Sequence, residues 1–180
     1  MMGSMQPFNF VPAFEEERFV FGAQRPGFDS RAVGPETVME WVSFMKGQGI
    51  ERVCCLLPDN QLVYYTEDLL KTYDREFGRD NVLWAPVPDF HLCDIGLLKE
   101  KIFPFFDESV AREEPVVLHC SKGTGRTGHI LAAWLVYKHH LTVDEALESV
   151  IDMGRNPYAA VQHGIATEDD LRWLLLQCED

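Results

Sequence analysis

Residues 115–128 read PVVLHCSKGTGRTG. The first five are a short apolar run that ends in His119. Cys120 follows at the head of a loop containing Gly123 and Gly125, and Arg126 and Thr127 then open a stretch with a helical pattern through residue 139. An apolar run of this length bounded by turn residues is the pattern of a strand buried on both faces. A strand that runs into a glycine loop and then a helix places that loop at the carboxyl end of the strand, where open α/β sheets bind ligands.

The surrounding sequence has the same alternation. A short strand is expected over 18–21, a helix over 35–46 with Pro35 in its first turn and Val38, Trp41, Val42 and Met45 on one face, and a buried strand over 51–57. The stretch 66–78 reads as a helix capped by Thr66, 81–87 as a strand, and 94–114 as a long helix capped by Asp94 with a kink at Pro104. Helices close the chain at 142–154 and 167–178, with Thr142/Glu145 and Thr167/Asp170 in capping-box spacing. Strands alternating with helices predict an α/β fold: a mostly parallel central sheet flanked by helices on both faces.

The loop carries the chemistry. Glycines let successive N–H groups turn inward as an anion cradle, and the helix starting near Arg126 adds the positive end of its dipole. These groups and the Arg126 guanidinium all favour the thiolate of Cys120, the nucleophilic form of a cysteine. Arg126 offers a planar fork suited to a tetrahedral oxyanion. Thr127 is placed to hydrogen-bond the sulfur, and His119 to hold the loop through its ring nitrogens. A phosphoryl group fits all of these parts: its outer oxygens meet Arg126 and the backbone of Ser121, Lys122, Gly123, Thr124 and Gly125, with phosphorus facing Cys120.

HCSKGTGRTG resembles the signature of the cysteine-dependent protein tyrosine phosphatase superfamily, and its glycine spacing is most similar to the dual-specificity branch and the tensin-related phosphoinositide phosphatases. The resemblance covers residues 19–180 in the order of elements and matches by motif in the loop and the acid region. It implies the protein tyrosine phosphatase-like fold and hydrolysis of phosphomonoesters through a phosphocysteine intermediate, without metal or other cofactor. It further implies a general acid on a loop about thirty residues before the cysteine. Asp89 in APVPDFHLCD lies 31 residues upstream of Cys120 (120 − 89). Asp94 is the competitor, but a helix N-cap accounts for it, and Asp59 reads as a turn residue.

Composition narrows the alternatives. The net charge of −13 leaves no basic footprint for nucleic acid or an anionic membrane. Five scattered cysteines do not read as a disulfide framework, no metal-ligand spacing occurs, and no signal peptide or membrane span is visible, so a reducing cytoplasm is expected. Length and hydrophobic content suggest a single catalytic domain over 14–180 after a tail at 1–13, whose opening MMGSM looks partly like an expression leftover. The expected substrate is a phosphorylated protein or a small phosphomonoester. The alternatives are an inositol phosphate, a phospholipid or an RNA 5′ end, then a non-catalytic phosphate-binding module or rhodanese-like sulfur transfer. The tensin-related enzymes carry two lysines in this loop; here only Lys122 is present and Thr124 takes the second place. Some relatives protect the active thiol with a disulfide to a cysteine placed like Cys54 or Cys55, although a core role explains both. Asn156, Gln162 and His163 sit where the superfamily orders its hydrolytic water. Arg25 reads as structural, and His139 and His140 as complements to a helix dipole. Oligomeric state is not legible.

Overall fold

The computed structural model describes residues 6–179. The MMGSM opening and Asp180 lie outside the described residues. A 3₁₀ turn at Pro7–Asn9 leads into β1 (Val11–Pro12), then β2 (Val20–Ala23), α1 (Pro35–Gly47), β3 (Arg52–Cys55) and a single turn α2 (Asp59–Leu62). α3 (Leu69–Phe77), β4 (Val82–Trp84), a one-turn α4 (Ile95–Leu97) and α5 (Phe103–Arg112) follow. β5 (Val116–His119), α6 (Gly125–His139), α7 (Val143–Asp152), a short α8 (Ala159–Gln162) and α9 (Glu168–Leu176) complete the order.

The strands form one sheet in the order β1-β2-β5-β3-β4. β5 lies in the middle, parallel to β2 and β3, and β4 is parallel to β3. Among the described strands only the edge strand β1 runs antiparallel, to β2. Side chains alternate across the sheet. Val116 and Leu118 face a core built with Phe106, Ile130, Trp134, Leu147 and Leu175 from α5, α6, α7 and α9. Val117 faces the opposite core with Trp41, Met45 and Tyr73 from α1 and α3. The fully apolar character of β5 follows from this double covering. α6 is buried along nearly its whole length, from Arg126 to Val136, because α7 and α9 close over the side that the sheet leaves free.

The structure corrects three local readings. The cap of α3 is Asp68, whose side chain accepts from Lys71 N–H at 3.1 Å, rather than Thr66. The long helical pattern is irregular not at Pro104 itself but at a π turn over Leu98–Ile102, which ends two residues before it and runs on with helical backbone into α5. The stretch assigned to a tail packs against the sheet: Phe10 and Ala13 are buried, and Phe10 stacks on Phe21. Asp94 caps α4 as expected, and both capping boxes form.

Glu17 locks the turn between β1 and β2 onto α6. Its buried carboxylate accepts from Trp134 Nε1 at 2.6 Å, His139 Nε2 at 3.1 Å and the Arg18 and Phe19 amides. Burial alone would push this carboxyl up, but the hydrogen bonds outweigh it and hold it below the usual value.

Candidate active site

β5 delivers Cys120 to the bottom of a cavity of about 230 Å³ at the carboxyl end of the sheet, lined also by Asp89, Phe28, Phe90, His129 and Ala160. The sulfur accepts from Thr127 Oγ1 at 3.1 Å and Gly123 N–H at 3.3 Å, two donors that stabilise negative charge on it.

The cradle is held open from behind. Each carbonyl from Cys120 to Gly125 has a donor outside the anion site. His119 Nδ1 is 3.0 Å from Cys120 O, Arg25 N–H 2.9 Å from Ser121 O, and Asn9 Nδ2 3.4 Å from Lys122 O. Arg155 donates to Gly123 O, Gly128 N–H and Asn156 N–H to Thr124 O, both at 3.0 Å, and His129 Nδ1 lies 3.2 Å from Gly125 O. The two ends of a peptide dipole point in opposite directions, so carbonyls drawn outward leave N–H groups turned toward the mouth. Gly123 makes this turn at a φ of +83°, with Ala23 backbone so close that a Cβ would lie 2.6 Å from it. Gly125 is needed for a different reason: a Cβ there would meet Ala159 Cβ at 2.7 Å.

His119 is fully buried between Cys120 O and the Tyr73 hydroxyl, 2.9 Å from Nε2. Burial pulls its pKa down to about 4, so the neutral ring donates from Nδ1 and accepts from Tyr73 at Nε2. Lys122 is exposed on the cavity rim, while Ser121 and Thr124 are part-buried in its wall.

Arg126 and Asp89 meet across the cavity. Arg126 Nη2 is 3.3 Å from Asp89 Oδ1, and Nη1 donates to Val87 O at 3.0 Å and to Gln61 Oε1 at 2.8 Å. Gln61 closes the triangle, donating from Nε2 to Asp89 Oδ2 at 3.2 Å. Asp89 is 43% exposed, at the open edge where a leaving group would exit. Its neighbour Phe90 adopts a φ of +62° and stacks on His163 with ring centroids 3.7 Å apart. Asp94 is spent as the α4 cap, and Asp59 opens α2 on the surface. Asn156 donates to Gln162 Oε1 at 2.8 Å beside the cavity. Cys54 and Cys55 are free and wholly buried; burial pushes both thiols up, Cys55 to about 12.

Three supporting residues are not legible in the sequence, and a fourth, Arg25, reads there as structural. Gln61 lies on a turn with no motif. Arg155 is buried behind the loop, reaching both Gly123 O and Val11 O, the latter at 3.2 Å, and the only hint in sequence is its place after α7. Burial lowers it to about 10, with the Cys120 sulfur acting in the opposite sense. Arg25 is buried and supports the loop from behind, donating from Nε to Ser121 Oγ at 3.1 Å and lying over the Tyr64 ring. His129 lies buried in α6, and no motif singles it out. Among the described residues no group of three or more His, Cys, Asp or Glu side chains is close enough to hold a metal ion, and no helix is long and apolar enough to cross a membrane.

Comparison with known proteins identifies the family and the fold. A family model described as "Polymorphic toxin system, DSP-PTPase phosphatase" matches residues 36–140. A tyrosine-protein phosphatase CDC14 homolog of Schizosaccharomyces pombe is 37% identical over 54 residues, 30% of this chain and 10% of the relative. The dual specificity protein phosphatase OPG106 of Vaccinia virus is 30% identical over 59 residues, 33% of this chain and 34% of the relative. The chain thus spans about a third or less of the curated relatives it matches. Among solved structures, Tk-PTP in its active form superposes with a TM-score of 0.64 at 24% identity over 89% of this chain and 91% of the other. PTPMT1 in complex with PI(5)P does so at 0.66 and 13% over 94% and 96%, and kinase associated phosphatase at 0.66 and 19% over 84% and 86%. These identities speak for the fold alone. The family model takes in more than half of the chain, from α1 through α6, and the chain belongs to this family of dual-specificity-type phosphatases within the cysteine-dependent protein tyrosine phosphatase superfamily.

Proposed function

We propose that this phosphatase hydrolyses phosphomonoesters on proteins, with a phosphotyrosine-like aryl ester as the preferred group, through a phosphocysteine on Cys120. The observation that carries the reading is the convergence in one cavity of the Cys120 sulfur, the Arg126 fork and the Asp89 carboxyl, over a loop whose carbonyls are all drawn away. A phosphoryl group seated there competes with Asp89 for Arg126 and frees the carboxyl to turn toward the leaving oxygen. The Cys120 thiolate attacks phosphorus, the bond to the leaving oxygen breaks, and Asp89 gives that oxygen its proton. A water then attacks phosphorus, Asp89 takes the water proton, and the sulfur leaves as a thiolate that Thr127 Oγ1 and Gly123 N–H receive. Arg126 and the cradle amides hold the charge on the equatorial oxygens in both steps.

Phe28 and Phe90 at the cavity wall favour an aromatic leaving group, and the −13 charge disfavours an anionic bilayer or a nucleic acid end as the docking surface. A nucleophilic thiol suits a reducing compartment such as the cytoplasm.

The test is phosphate release from para-nitrophenyl phosphate without added metal, for wild type, Cys120→Ser and Asp89→Asn, followed by phosphotyrosyl and phosphoseryl peptides and a soluble phosphoinositide. Turnover by wild type, none by Cys120→Ser, and preference for the phosphotyrosyl peptide are expected. Faster turnover of the phosphoinositide would overturn the protein-substrate reading. An inert wild type whose melting temperature phosphate still raises would make the loop a binding module.

A further inference from the structure

Besides the Val87 amide, which donates to Leu56 O at 3.0 Å, the loop that carries Asp89 is tethered at two points by α6. On the way in, Arg126 Nη1 holds Val87 O at 3.0 Å. On the way out, the Cys93 amide donates to His129 Nε2 at 2.9 Å. Both partners of this second bond are buried, and His129 stands one helical turn beyond Arg126. Its other nitrogen, Nδ1, faces Gly125 O at 3.2 Å. One neutral tautomer satisfies both contacts: Nδ1–H donates and Nε2 accepts. Burial keeps the ring in that form by drawing its pKa down to about 4.

The two tethers differ in what substrate does to them. Arg126 must turn its fork to a phosphoryl group, and its contacts to the acid loop are then shared or surrendered. His129 has no free nitrogen to offer a phosphoryl group: Nδ1 is spent behind the cradle on Gly125 O and Nε2 on the Cys93 amide, so substrate does not compete for this tether. Between the tethers, described hydrogen bonds to the loop are local, such as His91 N–H to Pro88 O, apart from Gln61 and Arg126 on Asp89 itself. Phe90 adds the stack on His163, an exposed contact.

We infer that His129 is a positioning residue for the general acid: by accepting the Cys93 amide it fixes the outgoing limb of the Asp89 loop while Arg126 is engaged with substrate. It acts through the loop and touches neither substrate nor the reacting atoms. The inference rests on the assignment of Asp89 as the acid.

The two functions of the ring can be separated. The amide oxygen of Gln reaches the place of Nε2, and the amide nitrogen of Asn reaches that of Nδ1. His129→Gln therefore keeps the Cys93 tether, and His129→Asn keeps only the Gly125 contact. The readout is kcat/KM on dinitrophenyl phosphate, whose leaving group needs no proton, divided by kcat/KM on phenyl phosphate, whose leaving group does. This ratio does not depend on how much of a variant is folded. His129→Asn should raise it about tenfold or more, a share of the roughly 10²–10⁴ that a general acid supplies, and His129→Gln should hold it near wild type. Asp89→Asn is run alongside. If Asp89→Asn raises the ratio and His129→Asn does not, the tether is overturned and the acid stands. If His129→Asn and His129→Gln raise it equally, the Cys93 bond is not the cause and the inference fails. A flat ratio for Asp89→Asn overturns the acid assignment, and the inference falls with it.

Discussion

Replacing Gly123 by Ala tests the cradle where it is tightest. Gly123 holds a φ of +83°, and an added Cβ would lie 2.6 Å from the carbonyl carbon and oxygen of Ala23 and 2.7 Å from Gln24 N. All three atoms are backbone at the end of β2, so no rotamer change relieves the contact. The left-handed conformation costs a non-glycine residue about 1–2 kcal/mol, and the overlap adds roughly 1–3 kcal/mol. About 3 kcal/mol is a reasonable sum, and in a chain of this size it lowers Tm by roughly 6–12 °C if the loop keeps its shape. If the loop yields instead, the Gly123 N–H leaves the Cys120 sulfur, now 3.3 Å away, and Arg155 loses Gly123 O. The strain then appears as lost catalysis, on the order of 10²-fold in kcat/KM for a displacement near 1 Å. Thermal melts and kcat/KM on para-nitrophenyl phosphate measure the two routes together. A Gly123→Ala variant within about 2 °C and about twofold of wild type would refute the claim that the loop depends on this backbone geometry.

Gln61→Leu removes the bridge between Arg126 and Asp89; the loss of hydrogen bonds to charged groups, about 1.5 kcal/mol or more, predicts a fall of roughly tenfold in kcat/KM with little change in Tm, and unchanged kinetics would dismiss the bridge. Arg155→Lys can serve only one of Gly123 O and Val11 O, so Tm should drop roughly 4–8 °C for about 2 kcal/mol, read by a thermal melt in which an unshifted midpoint would deny Arg155 that role. His119 and His129 both have pKa values lowered from 6.5 to about 4 by burial, so the unfolded chain binds protons that the folded chain refuses in that window, and stability falls as pH falls through it. From pH 7 to pH 5 the loss is about 2 kcal/mol for each histidine, measurable as urea midpoints, and a flat profile would contradict neutral buried rings.

The sequence was legible where function is carried by local pattern. The run from Val116 to Thr127 declares strand, loop and helix because each step is set by neighbours: an apolar run, glycines, then helix formers. Asp89 is picked out by the resemblance, which implies an acid about thirty residues before the cysteine, and the fold brings its carboxyl to 3.3 Å from Arg126. The supporting shell was not, because its contacts join residues far apart in the chain. Gln61 reaches Arg126 across 65 positions and Asn9 reaches Lys122 across 113. No periodicity encodes such pairs. The tail reading failed for the same reason, since the two residues of β1 gain their role only from pairing with β2. Thr66 and Asp68 are both acceptable caps by residue type, and α3 starts at the buried Leu69 with Asp68 as its cap.

The central claim is that Cys120 becomes phosphorylated in turnover. Wild type and Asp89→Asn should be quenched in acid during steady-state hydrolysis of para-nitrophenyl phosphate and mapped by peptide mass spectrometry. A phosphoryl group on the peptide that contains Cys120, absent from Cys120→Ser, is the predicted result. Continued phosphate release by Cys120→Ser, or turnover with no phosphorylated peptide from the loop in either protein, would contradict the account.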